Sequence, residues 1–451
     1  MDEASSRNTT AAASSSSTTS AASLLSAPNI DELPPTYLPD GVNFPLILAP
    51  MVRCSTLPLR TLSLSHSFHL PFSEEIIDKS LLACTLSYNS FLNTYDFSKT
   101  RQLKKGKIQS ICILRLLPSQ PLILQIGTSS PQLSLLSVQP LLPHILGIDV
   151  NMGCPKPFSL KGGMVRHLVA KSNVIRGYNS VSPVSTSMIV VAFLGWGMCN
   201  VRSSGAALLK TPELARGIIM ELVKSGKPVS AKVRLLDGEN EDVIYNNTLT
   251  FINNLVKVGL SLITIHLRTI NDSSHESCKK RYWMISKFVD DLNIPVIING
   301  DVWSKQDVQE IKEKGCKGVM VARGGLSGMV KFGETGKGKD ELIGDYLRLC
   351  LQFDNHFINT KYVVLEMINF RRLTDEGKEI LDDTDKSKFT VKQVCGVKDY
   401  EGLCGLFGIE YVKEKEEEEE KGVERKYDDK YFLKDEEKKD EKVAKKQKID
   451  A

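Results

Sequence analysis
In DVNMGCPKPFSLKGGM (149–164), Cys154 stands between Gly153 and Pro155, three residues after Asn151. An apolar, strand-like run ends at Asn151, so the thiol sits at a strand tip, on a turn that glycine and proline stiffen. That placement suits a reactive group held in one direction; it also suits a small buried side chain. Three further polar groups end apolar runs in the same manner: Gln125 in PLILQIG, Lys232 in PVSAKVRL and His266 in LITIHLR. Glutamine both donates and accepts hydrogen bonds, which matches a uracil-like ring edge. Lysine beside a ring that takes up electrons stabilises the negative charge, by roughly 1–4 kcal/mol in a partly dry site. Histidine alone there reads equally as a satisfied structural residue; together the three read as a site.

Eight apolar runs supply such tips: FPLILAPM (44–51), LPFSEEI (70–76), PLILQIG (121–127), GIDVNMG (147–153), PVSAKVRL (228–235), LITIHLR (262–268), IPVIING (294–300) and GVMVARG (318–324). Their continuous apolar character marks strands covered on both faces. TPELARGIIMELVKSG (211–226) and SKQDVQEIKEKG (304–315) carry helical patterns that close on a glycine. The pattern predicts an α/β fold, a (β/α)8 TIM barrel, with a doubly wound sheet as the alternative topology. The tips Met51, Glu75, Gln125, Asn151, Lys232, His266, Asn299 and Arg323 would then gather at one end of the barrel. INGD (298–301) and VARGG (321–325) place glycine-flanked backbone at the seventh and eighth strands, where helix starts commonly hold a phosphate.

Composition bounds the rest. The chain has 451 residues, an apolar fraction of 41% and a formal net charge of +4, so nucleic-acid binding must come from local basic patches. The cysteines are scattered without zinc spacing, which predicts no metal and reduced thiols in the cytoplasm, with mitochondria and nucleus left open. No apolar run is long enough to cross a bilayer, so no membrane partner is expected. The expected organisation is a disordered Ser/Thr/Ala-rich leader (1–38), the barrel (39–335), a smaller all-helical domain (336–411) and a charged disordered tail (412–451).

The runs LAPMVRCSTLPLR (48–60), SEEIID (73–78), QIGTS (125–129), DVNMGCPK with KGGM, AKVR (231–234), IHLR (265–268), IING (297–300) and VARG (321–324) together resemble the tRNA-dihydrouridine synthases. The likeness is to the eukaryotic branch that acts on uridine 20 of the D-loop, and it covers about residues 43–330. FDNHFINTKYVVLEMINF (353–370) resembles the start of that family's helical tRNA-binding domain. The resemblance implies a monomer that reduces the C5–C6 bond of a tRNA uridine, with bound FMN and with NADPH as reductant. It makes Cys154 the proton donor, a role open to a thiol that is mostly protonated at neutral pH. It implies that Pro50, Met51 and Val52 line the flavin, that Gln125 and Lys232 hold its ring, and that His266, Asn299, Gly300, Asp301, Ala322 and Arg323 surround its ribityl-phosphate. Asn151 and Arg234 would grip the uracil, while His356, Lys361, Arg371 and Arg372 are candidates to meet RNA phosphates, the two arginines reading equally as a solvated helix face.

The chain departs from that pattern in one place above all. The family runs KGGMGAALL without a break, whereas here KGGM ends at Met164 and GAALL resumes at Gly205. Residues 165–204 show no helical or strand period and read as an anomalous insertion, an unspliced intron or a lineage-specific loop. KKGKIQSICILRLLPSQP (104–121) also reads as a disturbed stretch. Two other functions stay open: a flavin barrel reducing a free pyrimidine, and a non-catalytic tRNA-binding protein whose barrel the insertion disrupts.

Overall fold
The computed structural model describes residues 36–102, 108–153, 205–272, 281–333, 336–369, 372–373, 379–380 and 386–411. In chain order the first strands are β1 (Leu46–Leu48), β2 (Leu70–Pro71), β3 (Ile76–Ile77), β4 (Thr85–Asn89), β5 (Thr94–Gln102) and β6 (Ile108–Leu116). There follow β7 (Ile123–Gly127), β8 (Gly147–Met152), β9 (Val229–Leu235), β10 (Leu262–Thr269), β11 (Val296–Asn299) and β12 (Gly318–Val321).

Of these strands, all except β4–β6 pair in parallel, in the order β2-β1-β12-β11-β10-β9-β8-β7-β3. The two ends of that order are one interrupted strand. Its first half pairs β1, Phe72 bridges to Ile123, and its second half pairs β7. The sheet therefore closes into an eight-stranded cylinder, the expected barrel. Its inner face packs Tyr37, Ile47, Leu70, Phe72, Ile123, Leu262, Ile297 and Met320 against one another, so the interior is filled rather than hollow. A larger apolar layer lies between strands and helices.

The helices follow from their stripes. They are α1 (Leu57–Leu64), α2 (Asp78–Leu82), α3 (Pro131–Val138), α4 (Pro212–Val223), α5 (Glu241–Val256), α6 (Trp283–Asp291), α7 (Lys305–Lys312) and α8 (Arg323–Gly328). In α4, Ala215, Ile218, Ile219 and Leu222 recur at helical spacing and are all buried. The chain then leaves the helix through Gly226 at φ +73°, a left-handed conformation open to glycine. Helices α9 (Lys339–Gln352), α10 (Phe357–Asn369), α11 (Val391–Gly396) and α12 (Tyr400–Leu406) follow in the C-terminal region, which departs from the all-helical expectation: Arg372–Leu373 pairs antiparallel with Glu379–Ile380 between α10 and α11.

Two further expectations are corrected. The leader boundary at 38 falls too late, because Tyr37 is buried and its phenol reaches into the barrel to Ser230 Oγ at 2.7 Å. The segment 104–121 is not a disturbed stretch throughout: β6 pairs along β5, which pairs with β4, in an antiparallel sheet inserted before β7. Buried Phe97, Leu114 and Leu116 fasten this sheet to the main core.

Candidate active site
Parallel strands alternate their side chains between the barrel interior and the helices, so register decides which polar groups meet. Asn151 lies opposite Lys232, Arg234 opposite His266, and His266 opposite Asn299. Gln125 lies opposite Asp149, and Asp149 opposite Ser230. Counting by twos along β9, Ser230, Lys232 and Arg234 point inward while Val229, Ala231 and Val233 are buried against the helices. The barrel mouth is thus lined by Gln125, Asn151, Lys232, Arg234, His266 and Asn299, six of the residues singled out in the sequence.

Three of them are held by hydrogen bonds to backbone groups. Asn151 Oδ1 accepts from the Gly153 backbone N–H at 3.0 Å and so shapes the turn leading to residue 154. Arg234 Nη1 donates to the Thr269 carbonyl at 2.9 Å. Asn299 Nδ2 donates across to the Met320 carbonyl at 2.8 Å. Pro50, Met51 and Val52 form the turn after β1, where the Met51 carbonyl accepts from the backbone N–H groups of Cys54 and Ser55. His266 is kept neutral: burial disfavours its imidazolium, and Lys232, Arg234, Arg268 and Arg323 add like-charge repulsion.

The rim carries an ion-pair cluster that sequence reading saw only in part. Asp301 accepts from Arg268 Nη2 through both oxygens, at 2.7 and 2.6 Å, and from Arg323 Nη2 at 3.2 Å. Gly300 at φ +126° and Asp301 at φ +48° make the sharp turn that brings this carboxylate round. Ala322 precedes α8, and Arg323 opens it. Of the two helix starts expected to hold an anion, the one after INGD is already capped by its own residues. Helix α7 begins at Lys305, and its first turn is capped internally by Ser304 Oγ, which accepts from the Asp307 backbone N–H at 3.3 Å.

Other expected residues lie elsewhere. Glu75 is not a strand tip: it is buried in the break between β2 and β3, packed so closely on Gly127 that a Cβ there would lie 2.4 Å from its Oε1. His356 lines a cavity of about 240 Å3 shared with Arg53, Arg60, Glu74 and Arg115, on the flank of α1 and β6. Lys361 Nζ donates to the carbonyls of Cys395 and Val397, both at 2.8 Å, closing the end of α11. That bond set makes it an internal brace rather than an open phosphate contact. Arg372 belongs to a two-residue strand, whereas Cys154, Arg371 and residues 165–204 lie outside the described residues.

Sequence reading missed the layer beneath the mouth. Asp149 is wholly buried and accepts from Gln125 Nε2 at 2.7 Å and from Ser230 Oγ at 2.6 Å. Its place two residues before Asn151 on a strand could have flagged it, since the two must share the inward face. Burial pushes its carboxyl up to about 6, against the pull of Gln125, Ser230 and Lys232.

Comparison with known proteins gives the family. The family model described as Dihydrouridine synthase (Dus) matches residues 47–182 and 198–393. The tRNA-dihydrouridine(20) synthase [NAD(P)+] of Saccharomyces cerevisiae is 28% identical over 371 residues, covering 77% of this chain and 83% of the yeast protein. The Schizosaccharomyces pombe protein of the same name is 29% identical over 356 residues, covering 74% of this chain and 63% of its own. A human tRNA-dihydrouridine(20a/20b) synthase [NAD(P)+]-like protein is 24% identical over 320 residues, covering 69% of this chain and 78% of the relative. The family match takes in most of the barrel and nearly all of the mouth-lining strands, and this chain belongs to the dihydrouridine synthase family.

Proposed function
We propose that the chain is a tRNA-dihydrouridine synthase that reduces the C5–C6 bond of uridine 20 in the D-loop, with FMN bound at the barrel mouth and NADPH as reductant, in a cytoplasmic setting. The observation that carries this reading is the inward set Gln125, Lys232, His266 and Asn299, from the middle of β7 and β9 to the last residue of β11, in a chain of this family. FMN, when bound, supplies the hydride chemistry, which no protein side chain can.

The residues present fit that group. Thr264 Oγ1 is buried on the inward face, next in register to Lys232, with no hydrogen-bond partner among the described residues. An orphaned buried hydroxyl is costly unless a ligand meets it. Gly300 lacks the Cβ that would lie 3.0 Å from His266 Cδ2, which keeps that side of the imidazole clear. Arg323, at the start of α8, and the neutral His266 would receive the phosphate, and Pro50, Met51, Val52, Gly300, Asp301 and Ala322 complete the wall.

Lys232 places positive charge where the reduced ring is electron-rich. Asn151 and Arg234, adjacent on the rim, would hold the uracil. Cys154 would deliver the proton to C5 from its thiol, aimed by the Asn151–Gly153 turn. Everting the base from tRNA costs a few kcal/mol, which backbone contacts from the helical region, including His356, would offset.

Purified full-length protein should show the absorption bands of a flavin and should place dihydrouridine at position 20 of a transcript lacking it, when given NADPH. Cys154→Ala should retain the flavin and slow the reaction by about 100-fold or more, the usual contribution of a general acid. A colourless protein that still binds tRNA would sink the flavin reading. Undiminished activity in the alanine variant would remove the thiol from its role.

A further inference from the structure
Beneath the mouth, Tyr37, Ser230, Asp149 and Gln125 form one hydrogen-bonded chain. Tyr37 donates its phenolic proton to Ser230 Oγ at 2.7 Å, and Ser230 donates its own to Asp149 Oδ1 at 2.6 Å. Gln125 Nε2 donates to Asp149 Oδ2 at 2.7 Å. All four residues are buried, Ser230 and Asp149 completely. An ionised carboxylate only accepts, so Gln125 has to turn its NH2 group inward. Its carbonyl oxygen is then the atom left for the mouth.

We propose that Asp149, braced by Ser230 and Tyr37, is a positioning residue that sets the polarity of Gln125, so that the site offers an acceptor to a ring N–H of the flavin. The inference rests on the flavin reading and deepens it. A free glutamine side chain can rotate and offer either end; this one cannot while its partner on β8 is a carboxylate. Burial raises Asp149 only to about 6, with Lys232 close by favouring the charged form, so it remains ionised at neutral pH. Tyr37 adds a constraint from outside the strands. Its single proton goes to Ser230, which obliges Ser230 to give its own proton to Asp149 and not elsewhere.

Two isosteric substitutions test the polarity. In Asp149→Asn, the new amide must use its oxygen to accept from Ser230, which turns its NH2 toward residue 125. Gln125 then flips to accept, and a donor faces the mouth. In Gln125→Glu, two carboxylates meet. The double variant Asp149→Asn, Gln125→Glu restores every bond. The amide introduced at position 149 donates to one oxygen of the carboxylate introduced at position 125, and the other oxygen again offers an acceptor.

The measurement is the dissociation constant of FMN for the full-length chain stripped of cofactor, read by quenching of flavin fluorescence, with circular dichroism reporting the fold. Each single variant should bind FMN about tenfold or more weakly, the scale of a mismatched buried hydrogen bond, and the double variant should return to within about threefold of the native chain. Native-like binding by folded Asp149→Asn overturns the proposal. So does a double variant no better than the singles, a comparison with Gln125→Glu that stands even where Asp149→Asn fails to fold. A native chain that takes up no FMN overturns the flavin reading itself and this inference with it, and that outcome is told apart because it appears before any substitution is made.

Discussion
At the scale of single residues, His266 at the mouth and Asp149 beneath it make stability contributions that respond to pH in opposite directions. Asp149 titrates at about 6 in the folded chain, above its ordinary 3.8, because burial penalises the carboxylate. The stability it contributes is fully present below about pH 4 and is lost as pH rises through 6. His266 is depressed below its ordinary 6.5 by burial and by four cations, so its contribution is present above 6.5 and lost as pH falls. The native chain therefore has opposing slopes between pH 4 and 6.5. Asp149→Asn removes only the first. Its unfolding free energy relative to the native chain should rise by about 3 kcal/mol from pH 4 to pH 7, because each pH unit between the folded and unfolded titrations is worth about 1.4 kcal/mol. Urea titrations at each pH measure this; a flat difference would mean that Asp149 does not titrate in that window.

At the scale of elements, the eighth βα connection is built on one close approach. Helix α8 seats on the turn after β11, and a Cβ on Gly324 would lie 2.1 Å from the Val302 carbonyl oxygen, against backbone that cannot yield. A Cβ on Gly325 would lie 3.2 Å from Phe68 Cζ, a ring that can shift. Gly324→Ala should therefore destabilise by about 1–3 kcal/mol or more, the cost of overpacking, and Gly325→Ala by less. Thermal melts of the two variants give the order, and equal losses would contradict the close seat. How much of this was legible in the sequence differs by element. Runs such as IPVIING read correctly because strands covered on both faces need no alternation. The break at Phe72–Glu75 did not, since one apolar run hides two short strands. Strand β6 is hard to read because its lysine-rich approach and apolar ILRLL end fit neither period cleanly. Tyr37 was unreadable as a core residue: a lone tyrosine in a Pro-rich stretch shows nothing of the serine, far along the chain on β9, that it meets. Asp149 is legible by period two from Asn151.

At the scale of the whole molecule, the open issue is how the chain crosses from β8 to α4. The turn Gly205–Lys210 packs directly against β8 and β9, so both ends of the connection lie beside the same strand ends. The family match runs on to residue 182 and resumes at 198, which narrows the unmatched stretch to 183–197, inside the 165–204 insertion expected from the broken KGGM and GAALL runs. Joining Met164 directly to Gly205 would shorten the connection from roughly fifty residues to roughly a dozen, lowering its closure entropy by an amount worth about 1 kcal/mol. We propose that the shortened chain keeps the barrel, because every mouth residue from Gln125 to Arg323 lies outside the deleted segment. It should melt a few degrees higher than the full chain, consistent with that gain in a domain of this size, and bind FMN with the same stoichiometry. Removing only 183–197 should act in the same direction but less. A shortened chain that melts earlier and loses its flavin would show instead that the deleted residues are needed for flavin binding.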